Sequence, residues 1–573
     1  MTYQHPAADT HFVLEHLVQF DALCQRTGFD QVDQALADAV IEEAGRFASE
    51  VLAPSNRVGD QQPPTLGPNG VEQTPGFKAI YQSLAEAGWI GLTAPESHGG
   101  QGLPSVLGTA VNEIWQSANL ALSLCPMLSQ GAIEALAHHA DDSVRDLFLP
   151  RLASGEWTGT MNLTEPDAGS DLAAIKARAE PDEDGLYRIS GQKIYITWGD
   201  HQMTDNIAHL VLARLPDAPA GIKGISLFIV PKFRIDAEGN ALGANAVSAL
   251  SLEHKLGIHA SPTCVMQYDG AQGYLVGAPH QGLKYMFTMM NHARQAVGVQ
   301  GLAVSQRAYQ QARQYASERV QGRRRDGSKI CIIDYPDVRR QLLTMRVGCE
   351  AMRALALVAS SQLDRAACDP ESAALAQWYT PIVKGWLTEL SVELTSLGVQ
   401  VHGGMGYVEE TGAAQYLRDA RILPIYEGTT AIQALDLIGR KTLADQGQIA
   451  EQMIAQMRVD CAGDVLMEQA INTAEVALSE LLAGHVDDPE LAPAVAYHYL
   501  MHLGYLCGGW LMVKSARVAQ AQLDAGVGDG AFLRAKINSA EFYGYQLLPR
   551  ATAHAASMRG GSRCVMAMPR EQL

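Results

Sequence analysis

The spacing of apolar residues changes from helical to strand-like and back to helical along the chain. Apolar residues recur at helical spacing before about residue 155 and again from Gly282 onward. Between these regions, "YRISGQKIYITWGD", "IAHLVLAR" and "GISLFIVPKF" have the composition and length of strands. A β region inserted between helical regions excludes a TIM barrel and a doubly wound sheet, because both alternate strands with helices.

This pattern divides the 573 residues into four regions. They are an N-terminal helical domain (1–158), a middle β domain (159–277), a helical bundle (278–445) and a C-terminal helical extension (446–573). Periodic runs at 285–320, 337–366 and 375–397 predict long bundle helices. The predicted fold class is therefore mainly α, with one inserted β domain.

Three local patterns give more detailed expectations. The range 33–51 predicts a helix that ends before Pro54. The Ser190–Gly191 pair, between two alternating runs, predicts a β-hairpin. The apolar range 499–513 is shorter than the ~20 residues of a membrane span, so it predicts a buried helix and no transmembrane segment.

Charge and cysteine content restrict the partners and the compartment. The formal net charge of -19 repels phosphate backbones, so we expect no nucleic-acid partner. The basic run "RVQGRRR" (319–325) suits a small phosphate-bearing molecule as well as DNA. Nine cysteines without a CxxC pair predict reduced thiols in the cytoplasm. The first residues lack the basic and apolar regions of a secretion signal.

Several common catalytic signatures do not occur in the sequence. There is no P-loop, no HExxH and no GxSxG. His138 and His139 are adjacent, so their side chains diverge on a helix and predict no metal site.

Two segments around the β domain have polar groups suited to a ligand. "MNLTEPDAGSDL" (161–172) is a turn-rich loop in which the hydroxyls of Thr164 and Ser170 and nearby N–H groups can bind a polar ring or a phosphate. In "YITWGD", Tyr195 precedes Thr197 by two residues, and such a pair can cover and hydrogen-bond a planar cofactor. The structural alternatives are an ordinary loop and ordinary β packing.

Two segments of the bundle have the same potential. Asn291 and Arg294 in "MMNHAR" are three residues apart and share a helix face, where Arg294 can bind a carboxylate or phosphate. "GVQVHGGMGY" has glycines that permit close approach of a ligand, although it lacks the GxGxxG pattern. The alternatives are a surface ion pair and a helix that ends at Gly403.

A lone acid, Glu427, occurs in "RILPIYEGTTAIQ". One interpretation is a helix start, with Thr429 or Thr430 as the cap and the acid beside the positive helix end. The other is a buried general base with a raised pKa. The stretch alone leaves both open.

Taken in order, these segments resemble one family, the acyl-CoA dehydrogenases. "TEPDAGSD", "YITWG", "ERVQGR", "QVHGGMGY", "LRDARI" and "IYEGT" are similar to its motifs over about residues 30 to 445. "PSNRVGD", "GEWTGTMNLTEP" and "EHKLGIHASPTCV" resemble its longer 3-methylmercaptopropionyl-CoA dehydrogenase-type subgroup, which has an extra C-terminal helical domain.

The resemblance implies FAD as the cofactor, bound between the β domain and the bundle and partly by a neighbouring subunit. Thr164 and Thr197 would contact the isoalloxazine ring, and Ser170 would face the flavin and the CoA. Tyr195 stands where a Trp is common, so it would shield the flavin less. Asp167 stands where Gly is common and adds a negative charge to the cofactor loop.

Further FAD contacts are implied in the bundle. Arg319 would approach the pyrophosphate, and Thr429 the adenosine portion. Four residues would reach the FAD of the neighbouring subunit: Gln400, His402, Gly403 and Gly404.

The resemblance also gives Glu427 a role. It would remove the α-proton of an acyl thioester, while its own N–H group and a flavin hydroxyl bind the thioester oxygen. Asn291 and Arg294 would contact the CoA or acyl portion, and Tyr426 the substrate. Some members carry the base at the position of Ala293, which cannot serve as a base here.

We therefore expect an FAD-dependent acyl-CoA dehydrogenase of fatty acid β-oxidation that makes trans-2-enoyl-CoA and passes electrons to an electron-transfer flavoprotein. The first alternative is a 3-(methylthio)propanoyl-CoA dehydrogenase in dimethylsulfoniopropionate breakdown. An oxidase and a DNA-binding flavoprotein of the same fold are more distant alternatives. The resemblance also implies a homodimer, because the C-terminal extension of longer members occupies the space that a second dimer uses in shorter relatives.

Overall fold

The computed structural model describes residues 3–183 and 185–573. It has the expected order of helical region, sheet, helical bundle and helical extension. The N-terminal helices are α1 (Ala7–Phe12), α2 (Phe20–Thr27), α3 (Gln34–Phe47), α4 (Ala53–Gln61), α5 (Phe77–Glu86), α6 (Ser105–Ala118), α7 (Leu120–His139) and α8 (Asp142–Ser154). A short hairpin of β1 (Thr65–Gly67) and β2 (Gly70–Glu72) lies between α4 and α5.

The first long helix begins as expected but does not end where predicted. The carboxylate of Asp33 accepts the N–H of Leu36 at 2.8 Å and caps α3. A π-helical turn, Ala48–Leu52, then connects α3 to α4, and Pro54 lies in the first turn of α4. The prediction that the helix ends before Pro54 is wrong, because proline in a first turn removes no intrahelical hydrogen bond.

The middle region is built around a seven-stranded sheet. The strands of this sheet are β3 (Trp157–Asn162), β4 (Arg178–Pro181), β5 (Tyr187–Thr197), β6 (Asn206–Arg214), β7 (Ile225–Pro231), β10 (Val247–Leu252) and β11 (Thr263–Leu275). Between β7 and β10, β8 (Phe233–Ile235) and β9 (Ala241–Ala244) form a separate hairpin. The order is β10-β11-β5-β4-β6-β3, and β7 pairs with both β11 and β6. β3 runs parallel to β6, whereas β5 and β11 are antiparallel.

The predicted hairpin at Ser190–Gly191 is wrong. Both residues lie inside β5 and pair with Asp269 and Tyr268 of β11. Gly191 has a φ of 144°. A Cβ at this position would lie 2.9 Å from the Cβ of Ala177, so the glycine permits close approach of a neighbouring segment and makes no turn.

Three long helices form the bundle: α9 (Gly282–Glu318), α10 (Pro336–Ala366) and α11 (Pro370–His402). A Cβ on Gly298 of α9 would lie 2.5 Å from a methyl group of Val383, and one on Gly301 would lie 2.7 Å from the carbonyl of Leu387. These glycines therefore let α9 and α11 pack closely. The bundle also contains β12 (Val320–Arg323), β13 (Lys329–Cys331), α12 (Ala413–Ala420) and α13 (Thr430–Leu435).

The extension follows a π-helical segment, Asp436–Leu443. Its helices are α14 (Gln448–Asp460), α15 (Val465–Asp487), α16 (Leu491–Ala525), α17 (Gly530–Gln546), α18 (Pro549–Met558) and α19 (Gly561–Met566). The apolar range 499–513 is mostly buried within α16, as predicted. A Cβ on Gly504 would lie 2.2 Å from the indole of Trp386, which shows how tightly α16 packs on α11.

A buried group of charges joins the extension to the rest of the protein. The ammonium of Lys536 on α17 lies 2.7 Å from a carboxylate oxygen of Asp9 and 3.1 Å from one of Glu350. The guanidinium of Arg353 on α10 contacts Asp9 and Glu113, each at 2.5 Å. We call these five residues the ionic junction, because they connect α1, α6, α10 and α17.

Among the described helices, α7 is the one whose length and apolar composition match a membrane-crossing helix. In the most apolar 18-residue stretch of α7, 83% of the residues are buried inside the protein. α7 packs against β3 and α9.

Candidate active site

Glu427 lies in a turn between α12 and α13 that is tied to its surroundings at several points. Thr429 caps α13, because its hydroxyl accepts the N–H of Ile432 at 3.3 Å. Thr430 donates its N–H to the carbonyl of Pro424 at 2.9 Å. The side-chain amide of Gln433 donates to the carbonyls of Glu427 and Gly428, each at 3.3 Å. The capping interpretation therefore holds for Thr429, and it leaves Glu427 free for another role.

The backbone of Glu427 is strained. Its φ of 55° is in the left-handed region, which non-glycine residues rarely adopt. Within the described residues, its N–H donates to no carbonyl or side-chain acceptor. Such strain at a residue held by its neighbours is common at functional sites.

Burial raises the pKa of Glu427 to about 7, although the positive charges of Arg294 and Lys384 act in the opposite direction. Leu423 is fully buried nearby, and Tyr426 packs against the core. Near neutral pH, the carboxyl group therefore exchanges a proton readily, as a general base requires.

Arg294 is buried on α9 and retains a free hydrogen-bond donor. It is 8% exposed, and one of its terminal nitrogens donates to Asn291 at 3.2 Å, so the two residues share a face as predicted. Its Nε has no partner among the described residues. Burial lowers the pKa of Arg294, and the charges of Asp436 and Glu427 oppose this effect. An uncompensated donor on a buried cation suits an oxygen-rich ligand.

Lys384 on α11 was missed by the sequence analysis. Its side chain is fully buried, and its ammonium has no hydrogen-bond partner within the described parts of the chain. Burial lowers the pKa of Lys384 to about 8, and the carboxylate of Glu427 is the strongest charge that opposes this shift. The sequence feature that could have identified Lys384 is its position as the one charged residue in the apolar run "YTPIVKGWL".

The predicted cofactor residues of the β domain lie at strand ends. Thr164 follows β3 and Thr197 ends β5, and the N–H of Ile194 donates to the carbonyl of Thr164 at 2.9 Å. Tyr195 and Trp198 have φ values of 60° and 53°. Tyr195 is 61% exposed, so its ring is open to a ligand. Thr164 and Thr197 are half-buried.

The loop that carries Ser170 is supported by Glu165. The Glu165 carboxylate accepts from the buried Lys193 at 2.8 Å and from the N–H of Lys176 at 2.7 Å. The additional charge of Asp167 is paired with the ammonium of Lys176 at 2.6 Å. Ser170 itself is exposed. The hydroxyls, N–H groups and aromatic face of this region fit a flavin ring.

A second group of predicted residues lies at the other end of the bundle. Arg319 follows α9, and Gln400, His402, Gly403 and Gly404 lie at the end of α11. Arg294 and Arg319 are 25 positions apart on or just beyond α9, which corresponds to roughly 37 Å along a helix. The ring of His402 stacks on Tyr315 at 4.5 Å, so the ends of α9 and α11 meet. The predicted residues at the ends of α9 and α11 therefore lie far from Glu427 of the same chain.

Family models match all four regions. The N-terminal, middle and C-terminal acyl-CoA dehydrogenase domains match residues 37–156, 160–271 and 280–443. The model described as acetyl-CoA dehydrogenase C-terminal like matches residues 449–569.

Curated relatives match over nearly the full length. The chain is 47% identical to 3-methylmercaptopropionyl-CoA dehydrogenase from Ruegeria pomeroyi, with 96% of this chain and 97% of the relative covered. It is 33% identical to broad-specificity linear acyl-CoA dehydrogenase FadE5 from Mycobacterium tuberculosis, with 96% of each covered. It is 32% identical to a butyryl-CoA dehydrogenase from Syntrophomonas wolfei, with 97% and 96% covered.

Two solved structures share the fold at lower identity. ACDH-11 from Caenorhabditis elegans, in complex with C11-CoA, superposes with a TM-score of 0.78 at 21% identity and covers 98% of this chain and 95% of its own. An acyl-CoA dehydrogenase from Bacillus anthracis, complexed with FAD, gives 0.73 at 21% identity and covers 92% and 89%. With the family models and the relatives above, these structures confirm the expected fold and resemblance: the chain belongs to the acyl-CoA dehydrogenase family.

Proposed function

We propose that this protein is an FAD-dependent dehydrogenase of a short acyl-CoA thioester, with Glu427 as the catalytic base and 3-(methylthio)propanoyl-CoA as the preferred substrate. The observation that carries the activity is the tethered, strained Glu427, whose pKa burial raises to about 7. The 47% identity to the Ruegeria enzyme favours the thioether substrate over the straight fatty acyl chain, which the sequence analysis placed first.

In the proposed reaction, the carboxylate of Glu427 accepts the α-proton of the thioester. The free N–H of Glu427 would donate to the thioester oxygen, which gains negative charge as that proton leaves. Arg294 and Lys384 favour the carboxylate form of Glu427 before the transfer. Bound FAD would supply the acceptor for the β-hydrogen. Thr164, Thr197, Ser170 and Tyr195 would hold the flavin.

The distant group at the ends of α9 and α11 supports a homodimer. Arg319, Gln400 and His402 lie too far along their helices to serve the Glu427 site of the same chain. The adjoining side chains of Met405 and Tyr407 are 48% and 90% exposed, as expected of residues that a second subunit covers. We propose that this group contacts the FAD of that subunit. We also propose a cytoplasmic location and an electron-transfer flavoprotein as the acceptor.

The second candidate function is dehydrogenation of a straight short-chain acyl-CoA. It is supported by the 32% identity to the Syntrophomonas butyryl-CoA dehydrogenase over 97% of this chain. Both candidates use the same residues, and they differ only in the acyl group.

Anaerobic reduction of the purified flavoprotein separates these candidates. We expect 3-(methylthio)propanoyl-CoA to bleach the flavin at least roughly tenfold faster than octanoyl-CoA, because each methylene that a pocket fails to accommodate costs about 1–3 kcal/mol. Butanoyl-CoA as the fastest substrate would favour the second candidate, and octanoyl-CoA would restore the fatty acyl assignment. Flavin that no acyl-CoA bleaches would contradict the dehydrogenase activity itself.

The rate of reduction is expected to depend on pH through Glu427. The base is active as a carboxylate, and its pKa is raised to about 7, so activity is full above this value. Below it, the rate should fall by about tenfold per pH unit. Stopped-flow reduction between pH 5.5 and 8.5 measures the profile, and a flat profile would contradict the assignment.

Lys384→Met provides a matched test of the same profile. Removing a cation that favours the carboxylate raises the pKa of Glu427, so the midpoint should move to higher pH by on the order of one unit. Loss of activity without a change of midpoint would assign Lys384 a purely structural role.

A further inference from the structure

A short polar chain is buried beside Glu427. The hydroxyl of Tyr426, the preceding residue, donates to the side-chain carbonyl of Gln300 on α9. The amide nitrogen of Gln300 donates to the thioether sulfur of Met127 on α7 at 3.2 Å. Gln300 is fully buried and Met127 is 3% exposed. These two hydrogen bonds connect the turn that carries Glu427 to α7 through the side-chain amide of Gln300.

The amide nitrogen of Gln300 is less well satisfied than its carbonyl oxygen. Burying an amide is unfavourable unless its hydrogen bonds are well satisfied, and a thioether is a weak acceptor. Leucine at position 300 would fill a similar volume but would leave the hydroxyl of Tyr426 without its acceptor. The carbonyl of Gln300 therefore serves Tyr426, whereas its amide N–H group has only the weak acceptor Met127 and can donate to a better-placed one.

Gln300 follows a strip of smaller side chains on one face of α9. Ala293, Ala296 and Val297 precede it by seven, four and three residues, so all four share one helix face. Ala293 and Ala296 are 2% and 5% exposed. Arg294, the proposed contact of the CoA or acyl portion, precedes Gln300 by roughly 9 Å of helix. The hydrogen bond from Tyr426 places Gln300 next to the turn that carries Glu427, so an acyl chain bound along this face would end at Gln300, where the side chain becomes large and polar.

We propose that Gln300 is the specificity-determining residue of the acyl site: it closes the site after a short chain and donates its amide N–H to a thioether sulfur next to the β-carbon. This inference rests on the proposed dehydrogenase function and names the feature of the substrate that it selects. The donor already binds the thioether of Met127, so a substrate thioether offers it an acceptor of the same chemistry.

The test uses the FAD-loaded enzyme and a matched pair of substrates. 3-(Methylthio)propanoyl-CoA and pentanoyl-CoA differ only by sulfur in place of a methylene group, and hexanoyl- and octanoyl-CoA extend the series. Reduction rate constants and half-saturation concentrations are measured anaerobically for the wild type, Gln300→Leu and Gln300→Ala. Gln295→Leu is the control, because Gln295 is a buried amide of the same helix that donates to the carbonyl of Ala356 on α10.

Gln300→Leu should keep the length limit but lose the preference for the thioether over pentanoyl-CoA, a change of about two- to tenfold for one neutral hydrogen bond. Gln300→Ala should open the inner end and increase the rate with octanoyl-CoA relative to pentanoyl-CoA by at least roughly tenfold. Gln295→Leu should leave both ratios unchanged. A merely structural role for Gln300 would lower the rates with all four substrates alike.

Failure of the proposed role of Gln300 and failure of the proposed function give different results. If the wild type prefers the short thioether and both Gln300 variants keep the same substrate ratios, the role of Gln300 is overturned and the proposed function stands. If the wild type is reduced fastest by octanoyl-CoA, both the proposed substrate and the closure by Gln300 are overturned. If no acyl-CoA reduces the wild type, the proposed function fails before the variants are compared.

Discussion

Replacing Glu427 by glutamine is expected to abolish reduction of the flavin by acyl-CoA while the flavin stays bound. The amide of glutamine has no basic site, so it cannot accept the α-proton, whereas its size and shape match those of glutamate. A general base contributes about 10²- to 10⁴-fold to rate, and we expect a loss at least this large. The turn should persist, because Thr429 and Gln433 hold it through groups other than the Glu427 carboxyl.

The measurement is single-turnover bleaching under anaerobic conditions, with the flavin content determined from the visible spectrum. Glu451→Gln is the matched control, since Glu451 is an exposed acid on α14. Binding of the CoA thioester to the variant should still perturb the flavin spectrum. Bleaching of Glu427→Gln at the wild-type rate would show that another group removes the proton. Loss of flavin from the variant would indicate a structural role for Glu427. Single-turnover bleaching of Glu427→Asp would then test whether a carboxylate at this position removes the proton.

The sequence predicted the parts of this protein that depend on local pattern. The change from helical to strand periodicity located the β domain, because side-chain period reports directly on which faces are buried. The isolation of Glu427 among apolar residues left a helix-start acid and a buried base both open, and the family resemblance then favoured the base. Thr429 shows that the two interpretations of that stretch were compatible, since one threonine caps the helix and the neighbouring acid remains available.

What the sequence did not predict depends on contacts between distant segments. Lys384 and Gln300 lie 43 and 127 positions before Glu427, and only the packing of α9 and α11 around the turn gives them a role. The Ser190–Gly191 pair has a typical turn composition, yet the approach of Ala177 keeps it within a strand. Pro54 is a residue type that typically ends helices, yet it lies in the first turn of α4. In each case a tertiary contact or a chain connection overrides a local preference.

Lys536→Met removes one cation of the ionic junction and should lower the thermal stability of the protein. Lys536 is 1% exposed, and it contacts Asp9 and Glu350, which are 6% and 5% exposed. Burial alone would raise the pKa of Asp9, but the ammonium of Lys536 and then the guanidinium of Arg353 lower it to about 2. Without Lys536, two buried carboxylates lose a cation that they share.

Removing one member of a buried ion pair typically costs about 3–5 kcal/mol, because the remaining charge is left without its partner. Unfolding of the 573 residues as one unit has an entropy of about 1.2 kcal/mol/K, so that loss corresponds to a melting temperature lower by roughly 2–4 °C. Differential scanning calorimetry of the FAD-loaded protein measures it. The control is Lys514→Met on α16, whose ammonium pairs with Asp460 at 3.0 Å but is 33% exposed. This partly solvated pair should contribute less than the buried one, about 1 kcal/mol.

A double variant distinguishes lost ion pairing from lost packing. Asp9→Asn combined with Lys536→Met removes a buried negative charge together with its cation, so it should be more stable than Lys536→Met alone. If the double variant is less stable by the sum of the two single changes, the contribution of Lys536 comes from contacts other than Asp9, such as the ring of Phe12, whose centroid lies 5.4 Å from its ammonium nitrogen. If Lys536→Met melts like the wild type, the extension is held by its apolar contacts with α10 and α11, and the ionic junction fixes only the position of α17. Because α17 packs on α10, that outcome would confine the role of the junction to the orientation of the extension.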